Sequence, residues 1–294
     1  MLVRAEATPV VAAPSRKRPG SAVWRSLRRN RWALTGGSMV ITLVALALSA
    51  PVLPLDDPDR THPAARLHPP STTTALGTDQ LGRDLLSRVI WGARVSITVG
   101  LGASAIALLV GTGMGLLAGF YGGMIDSVAM RAIDVLLAFP YILLAIALVA
   151  ILGPGLFNAM LAVAAVNVTF YARGVRSAVL LVRQSEYVEA ARAVGATNGW
   201  TLRYHVLPNI IAPIVVFASL NVGWMITETA GLSFIGLGAQ PPTADWGTML
   251  ADGRAFITVA PHIAVIPGVA IFLLVLGLNL TGDGLREALD PRLR

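Results

Sequence analysis

Few side chains in this 294-residue chain can do chemistry, and their spacing removes most reaction classes. Cysteine is absent, which excludes thiol nucleophiles, disulfides and every cysteine-ligated metal or cluster. Lys17 is the only lysine; Arg18 follows it and no glycine precedes it, so a phosphate-cradling Gly-Lys-Ser/Thr loop is impossible. His62, His68, His205 and His262 show neither i, i+4 pairing nor a His-Glu motif, so no metal site is expected. Ser233, in Gly231-Leu232-Ser233-Phe234, lacks the Gly-x-Ser-x-Gly elbow and any evident base, which argues against hydrolysis. No catalytic residue, cofactor site or metal site is expected.

What remains is a handful of polar residues in apolar surroundings. Glu228 is the one acid in an apolar run from Asn209 to about Leu237. A charge placed inside a membrane costs ~2.5–3.5 kcal/mol on insertion scales, so it requires a partner or a cavity. Two readings stand. Glu228 faces a translocation pathway or holds a gate, with Asn221 and Ser233 as further candidates on the same helix; or it is an interfacial acid capped by water, Thr227 and Thr229. Asn167 and Asn221 at mid-helix positions suit interhelical hydrogen bonds. Arg131 and Asp134, three apart, are expected to pair.

The composition says what positions these residues. Charged residues make up 13% of the chain, against about 25% in a soluble domain, and hydrophobic residues 55%. Mean hydropathy is +0.68. A soluble enzyme, a disordered tail and a disulfide scaffold are excluded; the chain reads as an all-α integral membrane protein of the cell membrane. A span needs ~20 mostly apolar residues. Ala33–Leu55, Val95–Tyr121, two helices within Val135–Ala172 split at Gly153-Pro154-Gly155, Asn209 to about Leu237 and Pro261 to about Thr281 make six transmembrane helices. The first is read as a retained anchor, because its apolar stretch exceeds a signal h-region and Pro51 follows Leu48-Ser49-Ala50.

Eight basic residues from Arg4 to Arg31 precede the first helix, so the positive-inside rule puts the N-terminus in the cytoplasm. Six spans return the C-terminus there too, so both termini are expected to be cytoplasmic. Arg173, Arg176, Arg183, Arg192 and Arg203 fall on that side as well. This asymmetry explains the net charge of +7 without nucleic acid, and no aromatic-interleaved basic patch exists. The expected order is a basic tail (1–31), a first helix (32–55), an extracytoplasmic segment (56–94), a five-helix core (95–283) with an internal loop at 183–208, and a C-terminal tail (284–294).

The internal loop is the most informative stretch. Tyr187, Ala190, Ala191 and Val194 fall at i, i+3, i+4 and i+7, one stripe on a short helix. Glu189 and Arg192 can pair on its flank. Gly195 is a natural helix stop, with Ala196 beyond it, and Leu207-Pro208 opens the next membrane helix. A lipid-facing stripe would favour Leu and Phe; alanines let another protein's surface come close.

Glu189-Ala190-Ala191, Gly195 and Leu207-Pro208 at these spacings resemble the EAA loop of ABC importer permeases. One departure is His205 in place of the generic Ile, but His205-Val206-Leu207-Pro208-Asn209 is similar to the variant of the dipeptide/oligopeptide branch. Three further stretches resemble the C-type permease of peptide and nickel importers: Leu76–Ser96, Glu228–Gly238 and Gly153–Asn158. The likeness runs from about Trp24 to Arg294 and implies a type I (MetI-like) permease fold. It further implies an ATP-driven importer of dipeptides or short oligopeptides, with nickel complexes, glutathione-like compounds and some sugars handled by relatives.

Within that family Tyr187, Glu189, Ala190, Ala191, Gly195, Ala196, Leu207 and Pro208 would form the coupling element that docks on a cytoplasmic ATPase. ATP and Mg would be bound by one or two partner P-loop ATPases. A homologous B-type permease would complete the pore, and an extracytoplasmic solute-binding protein would deliver peptide. The Leu76–Ser96 stretch reads as an amphipathic helix with Leu81, Leu85, Val89 and Trp91 along the membrane face and Arg83, Asp84 and Arg88 toward water. Gly111, Gly113 and Gly115 suit close helix approach and a sliding face. An ion-coupled secondary transporter or channel is the alternative; it predicts several midplane acids or histidines, and that region is nearly bare.

Overall fold

The computed structural model describes residues 19–289, and all its regular elements among them are helical. A short basic helix α1 (Pro19–Arg29) leads through Asn30 into α2 (Arg31–Ser49). Asn30 caps α2 by accepting from the Ala33 amide at 3.1 Å, and its side chain donates to the Glu287 carboxylate at 2.8 Å. The two ends of the described chain are therefore joined. An irregular segment over 50–84 precedes α3 (Leu85–Tyr121), whose N-cap is Asp84 accepting from Ser87 N at 2.7 Å. Burial pushes the Asp84 carboxyl above its ordinary value, an effect that the Ser87 bond opposes.

Next come α4 (Gly123–Leu137) and α5 (Tyr141–Leu152), which meet at a 94° bend. Pro140 explains the break: its ring and missing N–H end the helix before it. After Gly153–Gly155 follows α6 (Leu156–Arg183). Helices α2, α3 and α6, the later continuous run 198–234 and the last helix are long and apolar enough to span a membrane, and α4–α5 makes a sixth if the bent pair counts as one.

Beyond α6 the chain makes α7 (Glu186–Ala193), one turn α8 (Asn198–Thr201), a widened π turn over Leu202–Val206, and α9 (Leu207–Phe234). The wider turn relieves the clash that the Pro208 ring would make in a regular helix. Helices α10 (Trp246–Arg254) and α11 (His262–Leu289) complete the fold.

The tightest helix pair is α3 with α6. A Cβ built on Gly111 would lie 2.6 Å from the Tyr171 Cβ, whereas one on Gly113 meets nothing within 4 Å. Only alternate glycines of the run, Gly111 and Gly115, therefore face α6. The core around this seam is built of Ala103, Ala107, Val163, Tyr171 and Met225.

Several expectations change. The Leu76–Ser96 stretch is not a helix lying on the membrane. Residues before Leu85 are irregular, and the helical part opens the 37-residue α3. Nor do its arginines face water: Arg83 and Arg88 are 5% and 2% exposed, as buried as Leu85 at 1%, while Leu81 is 45% exposed. One buried counter-ion, Asp79, and one exposed one, Asp59, account for this. Asp79 takes the Arg83 Nε at 2.6 Å and the Arg88 Nε at 3.5 Å, and Asp59 lies 3.4 Å from Arg88.

Asp134 does not pair with Arg131. Arg173, one helix away on α6, reaches it at 2.6 Å, while Arg176 forks onto Asp126 at 2.5 and 2.6 Å. These two ion pairs strap α4 to α6. Part of the expected N-terminal tail is the helix α1, and α11 runs six residues past position 283 to Leu289. Residues 1–18 and 290–294, the rest of both expected tails, lie outside the described residues.

Candidate functional site

Two clusters matter, one at an end of the bundle and one inside it. At the end where α3 and α6 finish, α7 lies across the bundle. Val188 and Ala191 point inward at 0% and 8% exposure, while Tyr187 and Val194 point away at 45% and 85%. Glu189, Ala190 and Gly195 are exposed as well. The stripe read from the sequence is thus divided: Ala191 anchors α7, and Tyr187, Ala190 and Val194 form its free face.

Gly195 ends α7 with φ of +88°, a backbone state that suits glycine. The Ala196 amide returns to the Ala191 carbonyl and the Gly195 amide to that of Arg192, both at 3.0 Å, which satisfies the last carbonyls of the helix. Glu189 does not pair with Arg192. Among the described residues it has no ion-pair partner and borders a cleft of about 410 Å³ with Arg183 and Arg192. Arg192 instead lays its guanidinium over the Phe120 ring at 5.4 Å.

A feature absent from the sequence reading braces this end. His205 stacks edge-on against Trp200 at 4.8 Å and lies 6.0 Å from Tyr187, and Trp200 touches Tyr204 at 5.4 Å. The π turn turns His205 toward α7, so the helix that follows the loop and the helix within it share an aromatic contact. Leu207 is half-buried and Pro208 exposed at the joint. The signal available in advance was the spacing of aromatic residues at Trp200, Tyr204 and His205.

Inside the bundle, Glu228 on α9 is 8% exposed. Its carboxylate accepts from the Asn167 amide on α6 at 3.3 Å. The two hydrogens of that amide are shared with the Tyr141 hydroxyl on α5 at 2.7 Å and the Val163 carbonyl at 2.9 Å. Asn221 donates to the Asn167 Oδ1 at 3.4 Å, so four side chains from three helices converge. Thr227 and Thr229 do not cap Glu228; their hydroxyls return to the carbonyls of Gly223 and Ile226. Ser233 is not with this cluster. It is 3% exposed and accepts from the Ala239 amide at 3.3 Å, closing the turn after α9.

At the opposite end, α10 holds the start of α3. Asp245 caps α10 by accepting from Gly247 N and Thr248 N at 3.1 and 3.2 Å, and its other oxygen accepts from Ser96 at 2.7 Å. Trp246, fully buried, donates its indole N–H to the Val89 carbonyl at 2.9 Å. Asp245 as a helix cap was readable in the sequence; its partner 149 positions away was not.

A bundle of long apolar helices, with its polar groups either interlocked inside or gathered at the two ends, is a multi-pass membrane protein. Comparisons with known proteins make this specific. Residues 111–294 match the family described as binding-protein-dependent transport system inner membrane component. Residues 18–70 match the N-terminal TM domain of oligopeptide transport permease C. The chain belongs to the first family: it is a transport permease subunit and not an enzyme.

It is 47% identical over 276 residues to the dipeptide transport system permease protein DppC of Alkalihalophilus pseudofirmus, covering 94% of this chain and 91% of that one. It is 45% identical over 288 residues to the glutathione transport system permease protein GsiD of Pectobacterium atrosepticum, covering 97% and 95%. Among solved structures, an inward-facing MetNI methionine ABC transporter matches with a TM-score of 0.57 at 19% identity, over 70% of this chain and 98% of that one. This last likeness establishes the shared fold.

Proposed function

We propose that this chain is the C-type permease subunit of an ATP-driven importer that moves dipeptides or short oligopeptides into the cytoplasm. Both termini and α7 face the cytoplasm, as the arginine asymmetry favours. A homologous B-type permease completes the pore, one or two P-loop ATPases bind ATP and Mg, and an extracytoplasmic solute-binding protein delivers the peptide. Tyr187, Glu189, Ala190, Ala191, Gly195, Ala196, Leu207 and Pro208 form the coupling element.

The observation that carries the reading is the free face of α7. Val194 at 85% exposure and Tyr187 at 45% stand out from a helix anchored by Val188 and Ala191, beside a second cleft of about 380 Å³ lined by Val194, Gly195, Ala196, Thr197 and Trp200. An apolar, small-residue face at a bundle end suits a protein partner more than lipid. Through Trp200, His205 and the π turn, force on α7 reaches α9, and α9 carries Glu228 and Asn221. The Tyr141–Asn167–Glu228 cluster is the gate that this motion loosens. Sequence identity above 40% to dipeptide and glutathione permeases supports a peptide cargo.

The test is uptake of labelled Ala-Leu into liposomes holding the whole importer. Uptake that requires internal ATP and the binding protein supports the assignment. Uptake driven by an ion gradient without ATP would replace it with a secondary transporter.

A further inference from the structure

The junction of α1 and α2 presents a basic face, flanked by tryptophans, that neither the core nor the coupling element uses. Residues 19–32 hold Arg25, Arg28, Arg29 and Arg31 and no acid. All four arginines are exposed, as are Trp24 at 57% and Trp32 at 70%. Arg28 lays its guanidinium over the Trp24 ring, one turn back, at 4.8 Å. Among the described residues, Arg28, Arg29 and Arg31 enter no ion pair. The acid brought close by α11, Glu287, accepts from Asn30 at 2.8 Å and stands beside Arg286 in the chain.

Depth fixes what this face meets. The 19 residues of α2 rise ~1.5 Å each, which gives about 28 Å against a hydrocarbon core of ~30 Å. No turn of α2 can be spared, so the membrane boundary falls at Arg31 and Trp32. Asn30, the single residue before α2, has an extended ψ of 104° and breaks the helix. Helix α1 therefore leaves the α2 axis and packs on the end of α11, level with the boundary. Exposed tryptophans suit that layer, where the ring is buried and its N–H stays wet. Every phospholipid offers a phosphate, but in a zwitterionic headgroup an ammonium already answers it. A headgroup of net negative charge leaves its phosphate to the guanidiniums, whose fork matches two phosphate oxygens.

We propose that Trp24, Arg25, Arg28, Arg29, Arg31 and Trp32 form a seat for anionic phospholipid headgroups, with α1 lying in the headgroup layer as an interfacial helix. The lipid class follows from charge and depth alone; that the leaflet is the cytoplasmic one rests on the orientation proposed above. Through Asn30 and Glu287 the seat touches both α2 and α11, the first and last spans of the bundle.

The experiment uses the full chain in nanodiscs that mix phosphatidylcholine with phosphatidylglycerol. Bromine on the acyl chains of one lipid at a time quenches nearby tryptophans. The part of the signal removed by Trp24→Phe with Trp32→Phe reports the seat. At equal mole fraction, brominated phosphatidylglycerol should quench that part more strongly than brominated phosphatidylcholine, with a preference of about fivefold or more, the contribution of one arginine near the surface. Arg28→Gln, Arg29→Gln and Arg31→Gln together should cut the preference about threefold or more. Arg28→Lys, Arg29→Lys and Arg31→Lys together should retain most of it, because the attraction is one of charge. Melting midpoints check that both triple variants remain folded, and the contrast between the two lipids needs no charge variant at all.

Equal quenching by the two brominated lipids, or a preference that the triple Arg→Gln variant leaves unchanged, overturns the proposal. A second arm measures a protein occupant. If the triple Arg→Gln variant keeps its lipid preference but no longer co-purifies with the ATPases, the face docks protein and the lipid seat is wrong. Orientation is read separately, from a tag at the N-terminus. Its cleavage by protease outside intact cells would remove the cytoplasmic orientation, whereas the lipid preference, measured in nanodiscs open on both sides, stands or falls by itself.

Discussion

Asn167 on α6 and Glu228 on α9 meet at 3.3 Å although 61 positions separate them. The amide that reaches Glu228 also holds the Tyr141 hydroxyl, so one asparagine fastens the bent α4–α5 arm to α9. Nothing in the neighbourhood of Glu228 along the sequence announces this partner. The alternation of apolar residues reveals a helix; it does not say which other helix supplies the donor.

Removing the asparagine should therefore expose the coupling between those helices. Asn167→Leu leaves Glu228 and Tyr141 without their shared donor, and a buried polar group left unsatisfied costs ~1–3 kcal/mol. Thermal unfolding followed by tryptophan fluorescence should show a lower midpoint. Asn167→Leu combined with Glu228→Leu should recover part of the loss, because Glu228 is then apolar while the Tyr141 hydroxyl and the Asn221 amide still lack Asn167. Additive losses in the double variant would mean that the two residues do not interact.

Gly195 should separate coupling from folding. A Cβ there meets nothing within 4 Å, but φ of +88° makes any L side chain strained by ~1–2 kcal/mol. Gly195→Asp is expected to reach the membrane at near-normal levels while ATP-driven uptake is lost. Normal uptake with Gly195→Asp would remove this turn from the coupling element.

The glycines of α3 give a paired prediction. Gly111→Leu places its side chain against Tyr171 and should part α3 from α6, lowering the melting midpoint sharply, as over-packing typically costs ~1–3 kcal/mol. Gly113→Leu enters open space and should be tolerated. Equal effects of both would contradict the parallel seam of α3 and α6.

Much of the frame was legible in the sequence. The apolar runs gave the spanning helices, Gly153–Gly155 marked the start of α6, and Gly195 marked the end of α7. These signals are local. What escaped depends on residues far apart in the chain. The start of α3 has a charged face and an apolar face, and periodicity cannot say which one turns inward. Both turn inward: Leu85 is buried, and so is Arg88 beside the buried Asp79, while Trp246 donates to the carbonyl of Val89, the next residue. Arg131 looked like the partner of Asp134 because it is near in sequence, yet Arg173 is near in space. Helix α10 was hidden because a nine-residue helix is too short for a spanning pattern.

Asp79 offers a stability test of that correction. It accepts from the amides of Leu81 and Arg83 at 2.8 and 3.0 Å and from the Arg83 guanidinium at 2.6 Å, with the Arg88 Nε 3.5 Å away. Asp79→Asn leaves Arg83 and Arg88 buried with too little negative charge, and breaking one side of a buried ion pair costs ~3–5 kcal/mol. Limited proteolysis should cut the 56–84 segment much faster in the variant. Unchanged protection would place the arginines in water after all.

The coupling assignment itself is tested most directly by co-purification from mild detergent with a tag on this subunit. A second permease and P-loop ATPases should be recovered with the wild-type chain. The ATPases should be lost with Glu189→Lys, which reverses the charge on the exposed flank of α7 without touching Val188 or Ala191. Recovery of the chain alone or as a homo-oligomer, together with ion-driven uptake in liposomes, would contradict the assignment.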